Sequence, residues 1–274
     1  MQPPKIMGVI NATPDSFSDG GRFLDARAAI EHALQLASDG ADILDIGGES
    51  TRPGAVTIMV EEECARVLPI IKGLAGKMEA LISIDTRKPE VAEAAMAAGA
   101  TIWNDITALT YAPGSVEMAA SLGCHVVLMH AQGDPATMQN NPYYDDVVED
   151  VYAFLAGRID ACVKAGIDQS KLIIDPGIGF GKKLEHNLAL LAQLDRFVGL
   201  GCPVLLGASR KRFIAALDRD GPADSRLGGA LAAVMTGYRR GASIFRVHDV
   251  AETRQALKVA FAIETTMEKS PSLG

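Results

Sequence analysis

A single α/β domain folded as a (β/α)8 TIM barrel is expected across residues 1–274 from three features of the chain. Its 274 residues divide by eight into units of roughly 34, the size of a βα repeat in such a barrel. Short apolar runs rich in β-branched residues recur along it, most of them entered shortly after a glycine. These runs read as continuous rather than alternating in polarity, the pattern of parallel strands covered on both faces. The same features leave one alternative open, an open doubly wound sheet.

The runs, in order, are IMGVI (6–10), DILDI (42–46) after Gly40, ALISI (80–84) after Gly76 and TIWN (101–104) after Gly99. HVVLM (125–129) after Gly123, KLIID (171–175) after Gly166, PVLLG (203–207) after Gly201 and SIFRV (243–247) after Gly241 complete the set. Ala-rich amphipathic stretches between them supply the helices, and a glycine after a helix closes it cheaply in the left-handed conformation. About six residues precede the first run, so the N-terminal end of the barrel is expected to be thinly covered.

Composition removes several classes. At 48% hydrophobic and 22% charged residues the chain is neither disordered nor fibrous. No apolar stretch approaches the ~18–20 residues of a membrane span. A net charge of −8 argues against a general nucleic-acid or membrane-surface binder. Cys64, Cys124, Cys162 and Cys202 form no CxxC pair. They read as reduced thiols, and with no leader-like N-terminus they point to the cytoplasm.

Two segments are long for connections, 11–23 and 47–59, and both follow a strand. They would lie at the C-terminal face, where barrel enzymes keep their active sites. Polar groups end every strand: Asn11, then 47–52 (GGESTR), Asp85, Asn104 with Asp105, His130, Asp175, 209–211 (SRK), and Arg246 with His248 and Asp249. Singly, each is explained as a cap or turn former; eight in succession are not. Asp85, Asn104 and Asp175 suit a flat heterocycle with N–H donors, since a carboxylate accepts two parallel hydrogen bonds from an amidine-like edge. Asn11, Arg52, Lys211, Arg246 and His248 suit a phosphorylated group. The segment 177–183 (GIGFGKK) mimics a phosphate loop but fails its spacing, and reads as a mobile loop shaped by glycine.

These residues carry a resemblance. NATPDSFSDGG (11–21) and DIGGESTRPGA (45–55) resemble the two signature segments of the dihydropteroate synthase family. The likeness runs on through SIDTRKPEVAEAAMAAGATIWND, VVLMHAQGDPATMQ, DPGIGFGKKLEHN, GASRKRF and RVHDV. The family is a (β/α)8 barrel that joins a dihydropterin pyrophosphate to para-aminobenzoate in folate biosynthesis, releases pyrophosphate, and is the target of sulfonamides.

The resemblance implies a pterin set of Asp85, Asn104, Asp175, Lys211 and Met129. It implies pyrophosphate binding by Asn11, Thr51, Arg52, Arg246 and His248, with magnesium as the metal and Asn11 as its protein ligand. Phe17, Thr51, Arg52, Pro53, Phe180, Ser209 and Lys211 would hold the aminobenzoate. The first loop (Thr13, Pro14, Asp15, Phe17) and the second (Ser50, Thr51, Arg52, Pro53) would close over both substrates. Asp15, Lys211, Arg246 and His248 form the implied catalytic set. No nucleic acid or membrane partner is expected, and a homodimer is, through the Ala-rich segments 226–240 and 250–267.

A pterin-dependent methyltransferase shares the barrel and the pterin trio but handles no pyrophosphate, so it has no use for TPDSFSDGG with SRK and RVHDV. Asp15 is the expected electron-rich neighbour of the cation that develops as pyrophosphate leaves. Asp15→Asn is therefore expected to depress turnover much more than pterin affinity in steady-state kinetics. An unchanged turnover number would remove the role.

Overall fold

Side chains alternating between two buried environments organise the strands. The structure, a computed structural model, describes residues 3–13, 22–51, 54–134 and 136–269. Its strands are β1 (Lys5–Asn11), β2 (Ile43–Gly47), β3 (Leu81–Asp85) and β4 (Ile102–Asp105). β5 (His125–Met129), β6 (Leu172–Asp175), β7 (Leu205–Leu206) and β8 (Ile244–Val247) follow. All pair in parallel in the order β6-β5-β4-β3-β2-β1-β8-β7. The remaining gap is bridged by Ile174 against Val204, with the Ile174 N–H donating to the Pro203 carbonyl at 3.0 Å. The sheet closes on itself, which excludes the open doubly wound alternative. β7 is shorter than the run 203–207 because Pro203 has no N–H to give to a ladder.

Helices connect the strands: α1 (Arg22–Asp39), α2 (Val60–Leu74), α3 (Pro89–Ala98), α4 (Ser115–Leu122) and α5 (Val147–Lys164). Then come α6 (Leu184–Ala192), α7 (Asp195–Val198), α8 (Arg212–Leu217), α9 (Leu227–Arg239) and α10 (Val250–Lys269). No helix among the described residues is long and apolar enough to cross a membrane.

The alternation is read from two separate clusters. Outward-facing residues such as Ile10, Leu44, Ile46, Ile84, Trp103, Leu128 and Phe245 share one cluster with the inner faces of the helices. Inward-facing Met7, Ile43, Ile102, Val127, Ile173, Leu205 and Ile244 form a second, inside the barrel. Each of these seven is no more than 6% exposed, so this layer itself fills the N-terminal end expected to be thinly covered. One step further up, the inward positions of β2, β3, β4, β6 and β8 turn polar: Asp45, Ser83, Asn104, Asp175 and Arg246. The runs therefore look continuous because the outer face and the lower inner layer are both apolar; the upper inner layer breaks that reading.

Candidate active site

The upper layer begins with Asp45, which is fully buried in the middle of β2. It accepts three hydrogen bonds: Ser83 Oγ at 2.6 Å, Asn104 Nδ2 at 2.9 Å and Arg246 Nε at 2.7 Å. Arg246 also donates from Nη2 to Asp85 Oδ2 at 2.7 Å. One guanidinium thus spans two carboxylates, and residues from β2, β3, β4 and β8 meet over the apolar layer. Burial is the largest influence on Asp85 and pushes its carboxyl up to about 7; Arg246 opposes this, while Asp45 adds to it. Burial works against the Arg246 cation too, yet Asp45 and Asp85 hold its pKa above the ordinary guanidinium value.

Asp175 ends β6 opposite Met129 of β5, and both are buried. Its carboxyl accepts the Gly177 N–H at 2.7 Å, and burial raises its pKa. Lys211 reaches in from the loop after β7, its ammonium 4.0 Å from the centroid of the Phe180 ring. Burial and then Arg246 lower its pKa to about 8, against the pull of Asp175 and Asp85. His248 is held neutral, its pKa lowered to about 4 by burial, Arg246 and Arg210. Its backbone N–H donates to Ser209 Oγ at 3.2 Å, and that hydroxyl lies 3.1 Å from Nδ1. In the tautomer where Nδ1 accepts the serine hydrogen, Nε2–H is the ring's donor. His248 therefore brings a hydrogen bond rather than a charge.

Asp85, Asn104, Asp175, Met129, Phe180, Lys211, Arg246, Ser209 and His248 thus surround one mouth. Asn11 stands at its rim, beside Gly47 at the end of β1. Thr13, Ser50 and Thr51 are half-buried where the two long loops leave the strands. Pro14, Asp15, Phe17, Arg52 and Pro53 lie outside the described residues. Among the described residues no group of three or more His, Cys, Asp or Glu side chains could hold a metal ion. Magnesium needs no such cage, because it keeps several waters and takes substrate phosphate oxygens, so a single Asn11 oxygen is compatible with it.

Other polar groups at the strand ends face outward and fasten loops. Asp105 accepts from Thr107 N and Oγ1, both at 2.7 Å, and from Leu109 N at 2.9 Å. Arg210 pairs with Asp249 and has a left-handed backbone (φ 58). His130 lies edge-on to Phe154 and 2.9 Å from Lys182 Nζ, and burial and Lys182 lower its pKa to about 3. Lys182 is itself buried and donates to the His130 and Phe180 carbonyls at 3.3 and 3.0 Å.

The glycine-rich segment expected to be mobile is tied down. Besides Lys182, Asn187 Oδ1 accepts from Gly179 N at 2.6 Å, and Tyr144 OH donates to the Gly181 carbonyl at 2.8 Å. Its glycines permit a backbone-on-backbone approach. A Cβ at Gly177 would stand 1.9 Å from the His130 carbonyl oxygen, and one at Gly181 would stand 2.3 Å from that of Gln132.

A second network was not read from the sequence. Glu49 accepts from Arg87 Nε at 3.0 Å, Lys88 Nζ at 2.7 Å and the Ile58 N–H at 2.9 Å. Burial resists the Glu49 charge, but Lys88, the Ile58 N–H and Arg87 hold its carboxyl below the usual range. Arg87 further bonds Thr57 Oγ1 at 2.8 Å and Asp134 at 3.1 Å, and stacks 4.4 Å from the Tyr111 ring centroid. One side chain thereby joins the loops after β2, β3, β4 and β5. The signal for this network, and for Asp45, was a charge beside or inside an apolar strand, which requires a buried partner.

The family profile described as "Pterin binding enzyme" matches residues 7–248. Dihydropteroate synthase of Escherichia coli (strain K12) is 48% identical over 265 residues, covering 97% of this chain and 93% of that protein. The chain belongs to the dihydropteroate synthase family. Among solved structures, the Xanthomonas albilineans dihydropteroate synthase with 4-aminobenzoic acid has a TM-score of 0.91 at 49% identity, over 98% of this chain and 95% of that one. The same organism's dihydropteroate synthase in complex with 7,8-dihydropteroate has a TM-score of 0.88 at 46% identity, over the same shares.

In this dihydropteroate synthase family chain, the second loop is fixed chiefly through Arg87. Arg87→Ala is expected to speed amide hydrogen exchange at residues 54–59 at least about tenfold, because breaking a buried ion pair leaves Glu49 half-partnered. Exchange as slow as in the unaltered chain would show that Lys88 alone holds the loop.

Proposed function

We propose that this chain condenses 6-hydroxymethyl-7,8-dihydropterin pyrophosphate with para-aminobenzoate to give 7,8-dihydropteroate and pyrophosphate, in the cytoplasm. One observation carries the reading. A carboxylate-and-amide set (Asp85, Asn104, Asp175) and a donor set (Lys211, Arg246, His248) share one mouth, in a chain 48% identical to a dihydropteroate synthase.

The acceptors take the pterin N–H groups, and Lys211 donates to its oxygen-bearing edge. Met129 packs against the ring. The spare N–H groups of Arg246, the Nε2–H of His248, and Thr51 with Arg52 hold the pyrophosphate. Asn11 would hold magnesium together with substrate oxygens, and the metal would supply further neutralisation of the leaving group. Phe180, Ser209, Thr51 and Lys211, together with Phe17, Arg52 and Pro53, receive the aminobenzoate. The arylamine is already nucleophilic, so no strong general base is needed. Asp15 would be the electron-rich neighbour of the developing cation, and closure of both loops would keep water from trapping it.

The apolar residues Val259 and Ile263 lie one turn apart on α10 and are 56% and 57% exposed, which supports a homodimer through that helix. Light scattering at micromolar concentration is expected to give the dimer mass; a monomer mass would remove this part of the reading.

The activity is tested by pyrophosphate release with magnesium, which is expected only when both substrates are present. Release with either substrate alone, or none at all, overturns the reading. In the same assay, kcat/KM for the dihydropterin pyrophosphate is expected to fall as pH rises through about 8, where Lys211 loses its proton. An ammonium at its ordinary value would keep activity flat to well above pH 9.

A further inference from the structure

We infer that Asp45 is a positioning residue for the pterin half of the reaction: from beneath the mouth it sets which atoms Asn104 and Arg246 offer to the substrate. This rests on the proposed activity and adds to it a residue that does not itself touch substrate.

The two oxygens of Asp45 have different tasks. Oδ1 accepts the Ser83 hydroxyl at 2.6 Å, which fixes the carboxylate plane. Oδ2 accepts both Asn104 Nδ2 at 2.9 Å and Arg246 Nε at 2.7 Å. A carboxylate only accepts, so the Asn104 amide must turn its NH2 downward. Its Oδ1 is then presented to the mouth as an acceptor, which matches the N–H edge of a pterin. Left to itself, the amide has two nearly isosteric orientations, and one of them would present donors instead.

Arg246 is constrained in the same way. Nε is held by Asp45 and Nη2 by Asp85, so two points define the guanidinium plane and Nη1 is left for substrate. Asn104 and Arg246 come from opposite sides of β2, on β4 and β8, and are joined through a single oxygen atom. The next inward position above Asp45 is Gly47, which carries no side chain and lies beside Asp85. Nothing on β2 therefore stands between these partners and a ligand.

Asp45→Asn keeps the shape but replaces one acceptor with a donor facing two donors. Asn104 then turns over, or Arg246 disengages. The expected result is a rise of about 10–100-fold in KM for the dihydropterin pyrophosphate, with KM for para-aminobenzoate within about twofold. Ser83→Ala loosens the carboxylate without changing charge, and is expected to move the same KM a few-fold in the same direction. It also reads the role if Asp45→Asn does not fold. A folded variant in which both KM values rise together, or in which neither moves, overturns the inference. Calorimetric binding of the dihydropterin pyrophosphate to variant and unaltered chain separates this from the activity. The Asp45 effect appears there even if no pyrophosphate is released, whereas failure of the proposed reaction shows in the unaltered chain alone.

Discussion

Arg246 lies between two carboxylates inside a barrel, and most of the upper architecture answers to that fact. Moving a lone carboxylate into so dry a place costs several kcal/mol even after relaxation, and here the carboxyl groups of Asp45 and Asp85 share one guanidinium. Arg246 bonds them at 2.7 Å each, from a strand that touches neither β2 nor β3 in the sheet. The contact spans the concave inner face over β1 instead, so it exists only because the sheet is curled. The curvature of the sheet and the charged layer thus support each other. The apolar layer below keeps water from the charges, and the charges above give the open end a fixed shape.

The same pairing revises what the cations at the mouth do. An acidic chain that binds an anionic substrate invites a picture of a positive pit in a negative surface. Here Arg246 is matched by Asp45 and Asp85, His248 is neutral, and Lys211 carries a proton that burial and Arg246 have loosened. The mouth therefore acts through oriented donors and acceptors more than through net charge. Preorganised dipoles of this sort stabilise charge where it develops, at a departing pyrophosphate, without drawing every anion in solution.

Much of this was legible beforehand, for a physical reason. Strand positions followed from apolar runs and glycines, and each run lies within a few residues of its strand, because burying a strand on two faces restricts its composition. Asp85, Asn104, Asp175 and Lys211 were found because strand ends in a barrel converge. What could not be read was parity. Asn104 and Asp105 are neighbours, yet one faces the mouth and the other ties a turn; Met129 faces in while His130 backs onto Phe154. A one-residue step reverses the face, and a four-residue strand gives too little pattern to fix it. Asp45 was hidden for the complementary reason: three partners from β3, β4 and β8 remove every outward sign of its charge, and those partners are 38, 59 and 201 residues away.

Parity also divides the labour. Inward side chains above the apolar layer line the mouth or hold those that do. Outward ones, such as Asp105, His130 with Lys182, and Arg210 with Asp249, fix loop backbones to the strands and helices behind them. Lys182 shows how the two sets connect. Its donors fasten the Phe180 carbonyl, and the Phe180 ring packs on the ammonium of Lys211. An outward clamp thereby places an aromatic face against an inward cation whose proton is already loosened by burial. An aromatic face stabilises a cation beside it, so a residue outside the mouth takes part in arranging what surrounds the cation within it.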